Sequence, residues 1–277
     1  MTVNACVIGW PIEHSRSPLI HGHWIAQLGL DARYTKEAVL PEELESFLQR
    51  MREGAFAGCN VTVPHKEKVL ALADTADDAA RAIGAANTVW VENGKLCVSN
   101  TDAYGFLANL DEGAHGWDAD AGTALVLGAG GACRAVLHAL IARGFEQIRL
   151  VNRTRARAED LAAHFGDRIA VSDWDERNRL CRGVDLVVNT TALGMAGSPQ
   201  LDMDLGATGT GTVVTDLVYA PLETALLRQA RSKGLGTVDG LGMLLHQAVP
   251  GFGKWFGTRP EVTPELRALV VADLEGG

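Results

Sequence analysis

The strongest constraint on the fold of this 277-residue chain is one short run, Gly128-Ala129-Gly130-Gly131-Ala132-Cys133, set between a strand pattern and a helix pattern. Thr123–Leu127 reads as a strand covered on both faces, and 3.6-residue periodicity resumes over Ala132–Arg143. Glycines between them permit a tight turn and leave backbone N–H groups at a helix start, where free donors and the helix dipole together receive an anion such as a pyrophosphate. Cys133 stands at the third glycine position of that fingerprint and is small enough for strand and helix to approach. Such a turn also occurs as a plain connection, so the next strand matters. It runs into Asn152-Arg153-Thr154-Arg155-Ala156-Arg157, with no Asp or Glu to accept ribose hydroxyls. A carboxylate there would repel a 2′-phosphate, whereas Arg153 and Arg157 can hold one by charge-assisted bonds with Thr154 assisting. Together with Arg149 and Arg155 they make the densest positive patch of the chain. The two signals predict a dinucleotide site favouring NADP; the alternative is a solvated basic turn.

The surrounding pattern supplies the rest of such a sheet. Strands are expected at Gln147–Val151, Val184–Val188 and Thr212–Thr215, with a helix over Arg155–Phe165, a doubly wound βαβ rhythm. The first half repeats the alternation: strand Ala5–Ile8, helix Ser17–Leu28 opened by Pro18, a weak strand Tyr34–Val39, helix Glu42–Arg52 and strand Gly58–Val63, which Pro64 ends or places on an edge. Asn87–Glu92 and Lys95–Ser99 read as a hairpin, because Asn93-Gly94 supplies the positive φ angles of a tight turn. After a helix at 104–111, the polar stretch Glu112–Gly122 is the best candidate linker. The tail, Leu241–Phe256 and Thr263–Leu274, is helical without a further strand and must pack on something already built, the first domain. At about 150 residues per domain, the length suits two.

Composition excludes several classes. With 25 basic and 34 acidic residues the net charge is −9, which argues against a nucleic-acid surface held by counterion release. Hydrophobic residues at 47% and charged residues at 21% suit a globular chain rather than a disordered or coiled-coil one. Cys6, Cys59, Cys97, Cys133 and Cys181 are odd in number and never fall into metal-ligand spacing, so reduced thiols in the cytoplasm and no metal are expected. No basic leader precedes the apolar start, which predicts no export, and Asn189 and Pro199 interrupt the quietest apolar stretch, which predicts no membrane span.

Two constellations in the first half carry chemistry. His14-Ser15-Arg16-Ser17-Pro18 puts two hydroxyls just before a helix start, fit either for capping or for receiving a carboxylate. Lys66 follows one strand and Asp102 another; they could form a catalytic pair or a surface ion pair, and spacing alone does not bring them together. Asn87 could close a turn, Gln247 could be an exposed helix residue, and Tyr219 could be core. His65 is the pH-tunable neighbour of Lys66.

In order along the chain stand HSRSP, GCNVTVPHK, IGAANT, SNTDAYGF, GAGGA, NRTRAR, DLVYAPLETALL and GLGMLLHQAV. Taken together, these segments resemble the shikimate dehydrogenase family over nearly the whole chain. The resemblance implies an α/β protein of two domains: a mostly parallel N-terminal substrate domain (1–103 with 241–277) and a Rossmann-type NADP-binding domain (104–240). It implies reversible NADPH-dependent reduction of 3-dehydroshikimate to shikimate, in aromatic amino-acid biosynthesis. Ser15 and Ser17 would hold the shikimate carboxylate, Thr62, Asn87, Tyr219 and Gln247 would surround the substrate, and Lys66 and Asp102 would act on its hydroxyls. Gly128, Ala129, Gly130, Gly131, Ala132, Asn152, Arg153, Thr154, Arg157, Leu217 and Gly240 would face the cofactor, with Asp78 an occasional addition. Gly22, Val98 and Ala103 depart from the family's usual residues, outside this polar set. A quinate/shikimate enzyme using NAD and a non-catalytic nucleotide-binding homologue stay open as alternatives, as do monomer and homodimer.

Overall fold

In the computed structural model, which describes residues 2–119 and 121–276, the chain opens with strand β1 (Val3–Gly9), helix α1 (Ser17–Gln27), strand β2 (Ala32–Ala38), helix α2 (Leu44–Arg52) and strand β3 (Gly58–Val61). β1 pairs in parallel with both β2 and β3, so two βαβ steps build the start of one sheet. Pro18 lies in the first turn of α1, where its missing N–H costs nothing. Helix α3 (Lys66–Leu72), the two-residue strand β4 (Thr75–Ala76) and helix α4 (Asp78–Ile83) follow. The sequence reading misses all three, because elements this short do not repeat their period.

Strands β5 (Thr88–Glu92) and β6 (Lys95–Ser99) form the expected hairpin, with Asn93 at φ +51° and Gly94 at φ +76° in the turn. β5 runs antiparallel to β3, so the six-stranded sheet reads β2-β1-β3-β5-β6-β4. That reversal puts the start of β5 beside the ends of β3 and β6: Asn60 faces Thr88, and Thr88 faces Ser99. Only Asn100 and Thr101 then separate β6 from helix α5 (Asp102–Gly113).

The second sheet comprises β7 (Thr123–Leu127), β8 (Gln147–Asn152), β9 (Ile169–Asp173), β10 (Leu186–Asn189), β11 (Val213–Asp216) and β12 (Gly236–Val238). It is wholly parallel in the order β12-β11-β10-β7-β8-β9. Its crossover helices are α6 (Gly131–Ala142), α7 (Arg155–Phe165), α8 (Arg177–Leu180) and α9 (Ala225–Ser232). The strand order reverses between β7 and β10, the Rossmann-type arrangement in which ligands bind beyond the carboxyl ends of the strands at the switch point. β9 and β12 lie at the two edges, where a weak apolar pattern suffices, and the sequence reading passes over both.

Three helices close the chain: α10 (Leu241–His246), α11 (Ala248–Phe256) and α12 (Pro264–Gly276). α11 packs on β1, β3 and β5, and both α11 and α12 pack on α1. The chain divides into one unit running to Tyr104 and resuming at Leu245, and another spanning Gly105–Leu244, so the divisions fall inside α5 and α10. The polar stretch expected as a linker therefore lies within the second unit, where Trp117 is buried against Phe145 at 5.7 Å between ring centroids. All five cysteines are buried and free. Among the described residues no helix is long and apolar enough to cross a membrane.

Candidate active site

In the first unit, residues far apart in sequence meet where β3 and β6 end and β5 begins. Lys66, the first residue of α3, places Nζ 2.5 Å from Oδ2 of Asp102, the first residue of α5. Asn87 donates through Nδ2 to the other carboxylate oxygen, Oδ1, at 2.8 Å, and faces Gln247 Oε1 at 3.4 Å. The pair is mostly shielded, with side-chain exposures of 26% for Lys66 and 14% for Asp102. An ion pair this enclosed is worth more than a solvated one and holds a fixed geometry. Asp102 is held further by its own N–H, which donates to Asn100 Oδ1 at 3.0 Å.

Thr62 is half-buried at the end of β3, and a Cβ built on Gly9 would lie 2.5 Å from its methyl group, so only glycine lets the ends of β1 and β3 come this close. Ser17 is buried at the start of α1, and its backbone N–H donates to Ser15 Oγ at 3.3 Å. Only the Ser15 hydroxyl engages the helix start, through this one bond, and Arg16 at the cap position makes no side-chain cap, so the two hydroxyls do not act together as a cap; Ser15 is half-buried. His65 is buried with Nε2 2.7 Å from the Val39 carbonyl, a packing role.

The second unit holds the glycine turn. Gly128 has φ +104°, and a Cβ there would lie 2.8 Å from both Thr190 Oγ1 and Thr191 Cγ2. Gly130 precedes the first residue of α6, no side chain caps that helix, and a Cβ on Gly130 or Gly131 would meet open space. Unclaimed N–H groups at the start of a 12-residue helix therefore face a cavity of about 350 Å³ lined by Gly128, Ala129, Gly130, Asn152, Arg153 and Arg157. Asn152 Oδ1 accepts from the Ala129 N–H at 3.2 Å, tying the end of β8 to the turn.

The basic patch resolves into two kinds of arginine. Arg155 is claimed by Glu159 and Asp173, both at 2.8 Å, and Arg149 by the carbonyls of Leu180 and Arg182. Arg153 and Arg157 are exposed, line the cavity, and have no acidic partner among the described residues. With no carboxylate at the end of β8, this donor set fits the 2′-phosphate of NADP and a pyrophosphate at the helix start. Thr154 immediately precedes α7, between the two arginines in the chain.

Gly240 packs against the backbone of Leu217, where a Cβ would lie 2.4 Å from the carbonyl oxygen, so these two expected cofactor residues are neighbours. Tyr219 follows β11 in the second unit and is half-buried. Asp78 opens α4 in the first unit, exposed and paired with Arg81 at 3.2 Å. Sequence reasoning passes over the cavity wall formed by Thr190, Thr191 and Trp174. The available signal is position: Thr190 and Thr191 follow β10 directly, at the switch point beside β7.

Residues 7–89 match the family described as "Shikimate dehydrogenase substrate binding domain", and residues 113–196 the family described as "Shikimate / quinate 5-dehydrogenase". A Shikimate dehydrogenase (NADP(+)) of Brucella abortus (strain S19) is 57% identical over 273 residues, 98% of this chain and 94% of that protein. Among solved structures, shikimate 5-dehydrogenase from Thermus thermophilus in complex with NADP(H) and shikimate is similar at TM-score 0.85 and 36% identity, covering 99% of this chain and 100% of that one. Quinate dehydrogenase from Corynebacterium glutamicum in complex with NAD is similar at TM-score 0.90 and 29% identity, covering 98% and 99%. With both family matches in chain order and more than half of its residues shared with such a relative, the chain belongs to the shikimate dehydrogenase family.

Proposed function

We infer that this chain is an NADP-dependent shikimate dehydrogenase, an oxidoreductase that reversibly reduces 3-dehydroshikimate to shikimate on the route to the aromatic amino acids. The observation that carries the reading is the Lys66–Asp102 pair, closed at 2.5 Å and flanked by Asn87. NADPH, when bound, supplies the hydride for the carbonyl carbon. Lys66 meets the charge that develops on the carbonyl oxygen, as an ammonium that stabilises or protonates it. Asp102 holds Nζ in place through Oδ2, and its free lone pairs can accept a substrate hydroxyl. In the oxidation direction the lysine takes the hydroxyl proton instead. Ser15 and Ser17 are assigned to the substrate carboxylate, and Thr62, Asn87 and Gln247 to its hydroxyls. Arg153 and Arg157 hold the 2′-phosphate, and the Gly128–Ala132 turn receives the pyrophosphate.

Five buried thiols suit a reducing compartment, and we assign the enzyme to the cytoplasm, as a monomer or homodimer. The test is NADPH absorbance followed with purified protein on shikimate and on quinate, each with NADP and with NAD. Turnover of shikimate with NADP well above the other three combinations is expected. Faster turnover of quinate with NAD would replace this reading by its nearest rival, and no turnover on either substrate would reject it.

A further inference from the structure

Behind Asn87 lies a run of buried polar side chains that touches neither of the charged catalytic groups. The Asn87 carboxamide oxygen receives the Thr101 backbone N–H at 2.8 Å, the Thr88 hydroxyl at 3.0 Å and the Thr101 hydroxyl at 3.1 Å. Thr101 shares its one proton with the Gln247 carbonyl at 2.8 Å, and the two threonine hydroxyls are 3.3 Å apart. One step further in, Asn60 directs its NH2 to the Thr88 hydroxyl at 3.4 Å and to the Asn87 backbone carbonyl at 3.3 Å.

The direction of these bonds follows from the far end. Asn60 Oδ1 accepts from the Tyr34 hydroxyl at 2.6 Å and lies 3.2 Å from His21 Nε2. His21 is fully buried among aromatic rings, and burial lowers its pKa to about 3, so it is neutral and gives its Nε2–H to Asn60. With Oδ1 filled, the Asn60 NH2 must face Thr88, whose lone pair it occupies and whose proton is then left for Asn87. Turning the Asn87 amide over would set its NH2 against these donors and leave the buried Thr101 N–H without an acceptor, a cost of about 1–3 kcal/mol.

We propose that Thr88 and Thr101, backed by Asn60, are positioning residues for the reaction: they lock the Asn87 carboxamide so that its NH2 is committed to Asp102 Oδ1, which orients the carboxylate that holds Lys66. Thr101 also ties the Gln247 backbone to the same point, so one hydroxyl serves two substrate-facing side chains. The claim rests on the functional reading above for its kinetic test, not for its structural one.

The experiment compares wild type with the double variant Thr88→Val, Thr101→Val, which keeps shape and removes both hydroxyls, and with Thr88→Ser, Thr101→Ser, which restores them. The valine protein is expected to lose about ten- to a hundredfold in kcat and kcat/KM for shikimate, with KM for NADP unchanged, and the serine protein to recover most of it. Independently of substrate, the Asn87 side-chain amide resonances should shift and exchange faster with solvent in the valine protein. A folded valine variant with wild-type kcat, or with unaltered Asn87 amide resonances, overturns the proposal. Should the double variant not fold, Thr88→Val alone carries the test, with a several-fold fall in kcat expected and wild-type kcat decisive against it. If wild type itself does not turn over shikimate, the functional reading fails, and the amide comparison still decides the positioning claim.

Discussion

Lys66 and Asp102 each open a helix, 36 residues apart, and their side chains close to 2.5 Å. Replacing Lys66 by Ala removes the only cation in contact with Asp102 among the described residues of that unit and the group assigned to the carbonyl oxygen. kcat is expected to fall by at least about a hundredfold with a modest change in the shikimate KM, since positioned acid–base help is worth about 10²–10⁴. Unchanged turnover of the purified variant would remove Lys66 from the mechanism. Asp216 allows a different test. Burial pushes its carboxyl from 3.8 up to about 6, although Thr224, Val218 and Asn189 all donate to it. Between those values the folded chain keeps a proton that the unfolded chain has released. Its contribution to stability is therefore full below about pH 4 and lost as pH rises through 6, on the order of 3 kcal/mol. Urea unfolding at about pH 4.5 and about pH 7.5 should show Asp216→Asn gaining on wild type as pH rises; a constant difference would contradict the assignment.

The element that matters most in the second unit is the turn from β7 into α6. Gly128→Ala brings a strained backbone at φ +104° together with a Cβ 2.8 Å from Thr190 and Thr191. Strain of this kind costs about 1–3 kcal/mol, and the turn can escape it only by moving the N–H groups that face the cavity. Titration calorimetry should show NADP binding weakened at least about tenfold, and undiminished affinity would mean that the turn does not hold the cofactor. After the neighbouring strand, Arg153→Ala should raise KM for NADP about tenfold or more while leaving KM for NAD nearly unchanged, because only NADP carries the extra phosphate. Equal effects on both cofactors would remove the arginine from the phosphate site.

For the molecule as a whole, the return of the chain after residue 245 completes the first unit. Trp255 on α11 donates through Nε1 to the Val89 carbonyl at 2.9 Å and packs near His21 and Tyr34. A Cβ on Gly58 would lie 2.0 Å from that nitrogen, so β3 is built around this indole. Trp255→Ala should cost about 3–5 kcal/mol, measured by denaturant unfolding, through the cavity and the unpaired carbonyl it leaves. A loss below about 1 kcal/mol would show that the tail merely lies against the sheet. In the same unit, Trp24 Nε1 donates to the Glu261 carbonyl at 2.9 Å, and Arg16 pairs with Asp273 at 3.0 Å, so α12 is anchored as well.

What the amino-acid order determines unaided is local. Asn93-Gly94 sets its hairpin, Pro18 opens its helix, and Gly128-Ala129-Gly130-Gly131 makes its anion-ready turn, because φ limits and unclaimed N–H groups act within a few residues. The ordered polar motifs likewise carried the family. Short elements such as α3 and α4, and edge strands such as β9 and β12, were hidden because they draw stability from what they pack on rather than from their own period. Only the tertiary structure decided that Lys66, Asn87, Asp102 and Gln247 share one place, since that depends on β5 running antiparallel between β3 and β6 and on the tail returning to the first sheet. The same holds for the arginines: four are equivalent in the sequence, and tertiary contacts sort them, since Glu159 and Asp173 claim Arg155 and the carbonyls of Leu180 and Arg182 claim Arg149, which leaves Arg153 and Arg157 at the cavity. Electrostatic pairing acts through space, and no spacing along the chain encodes it.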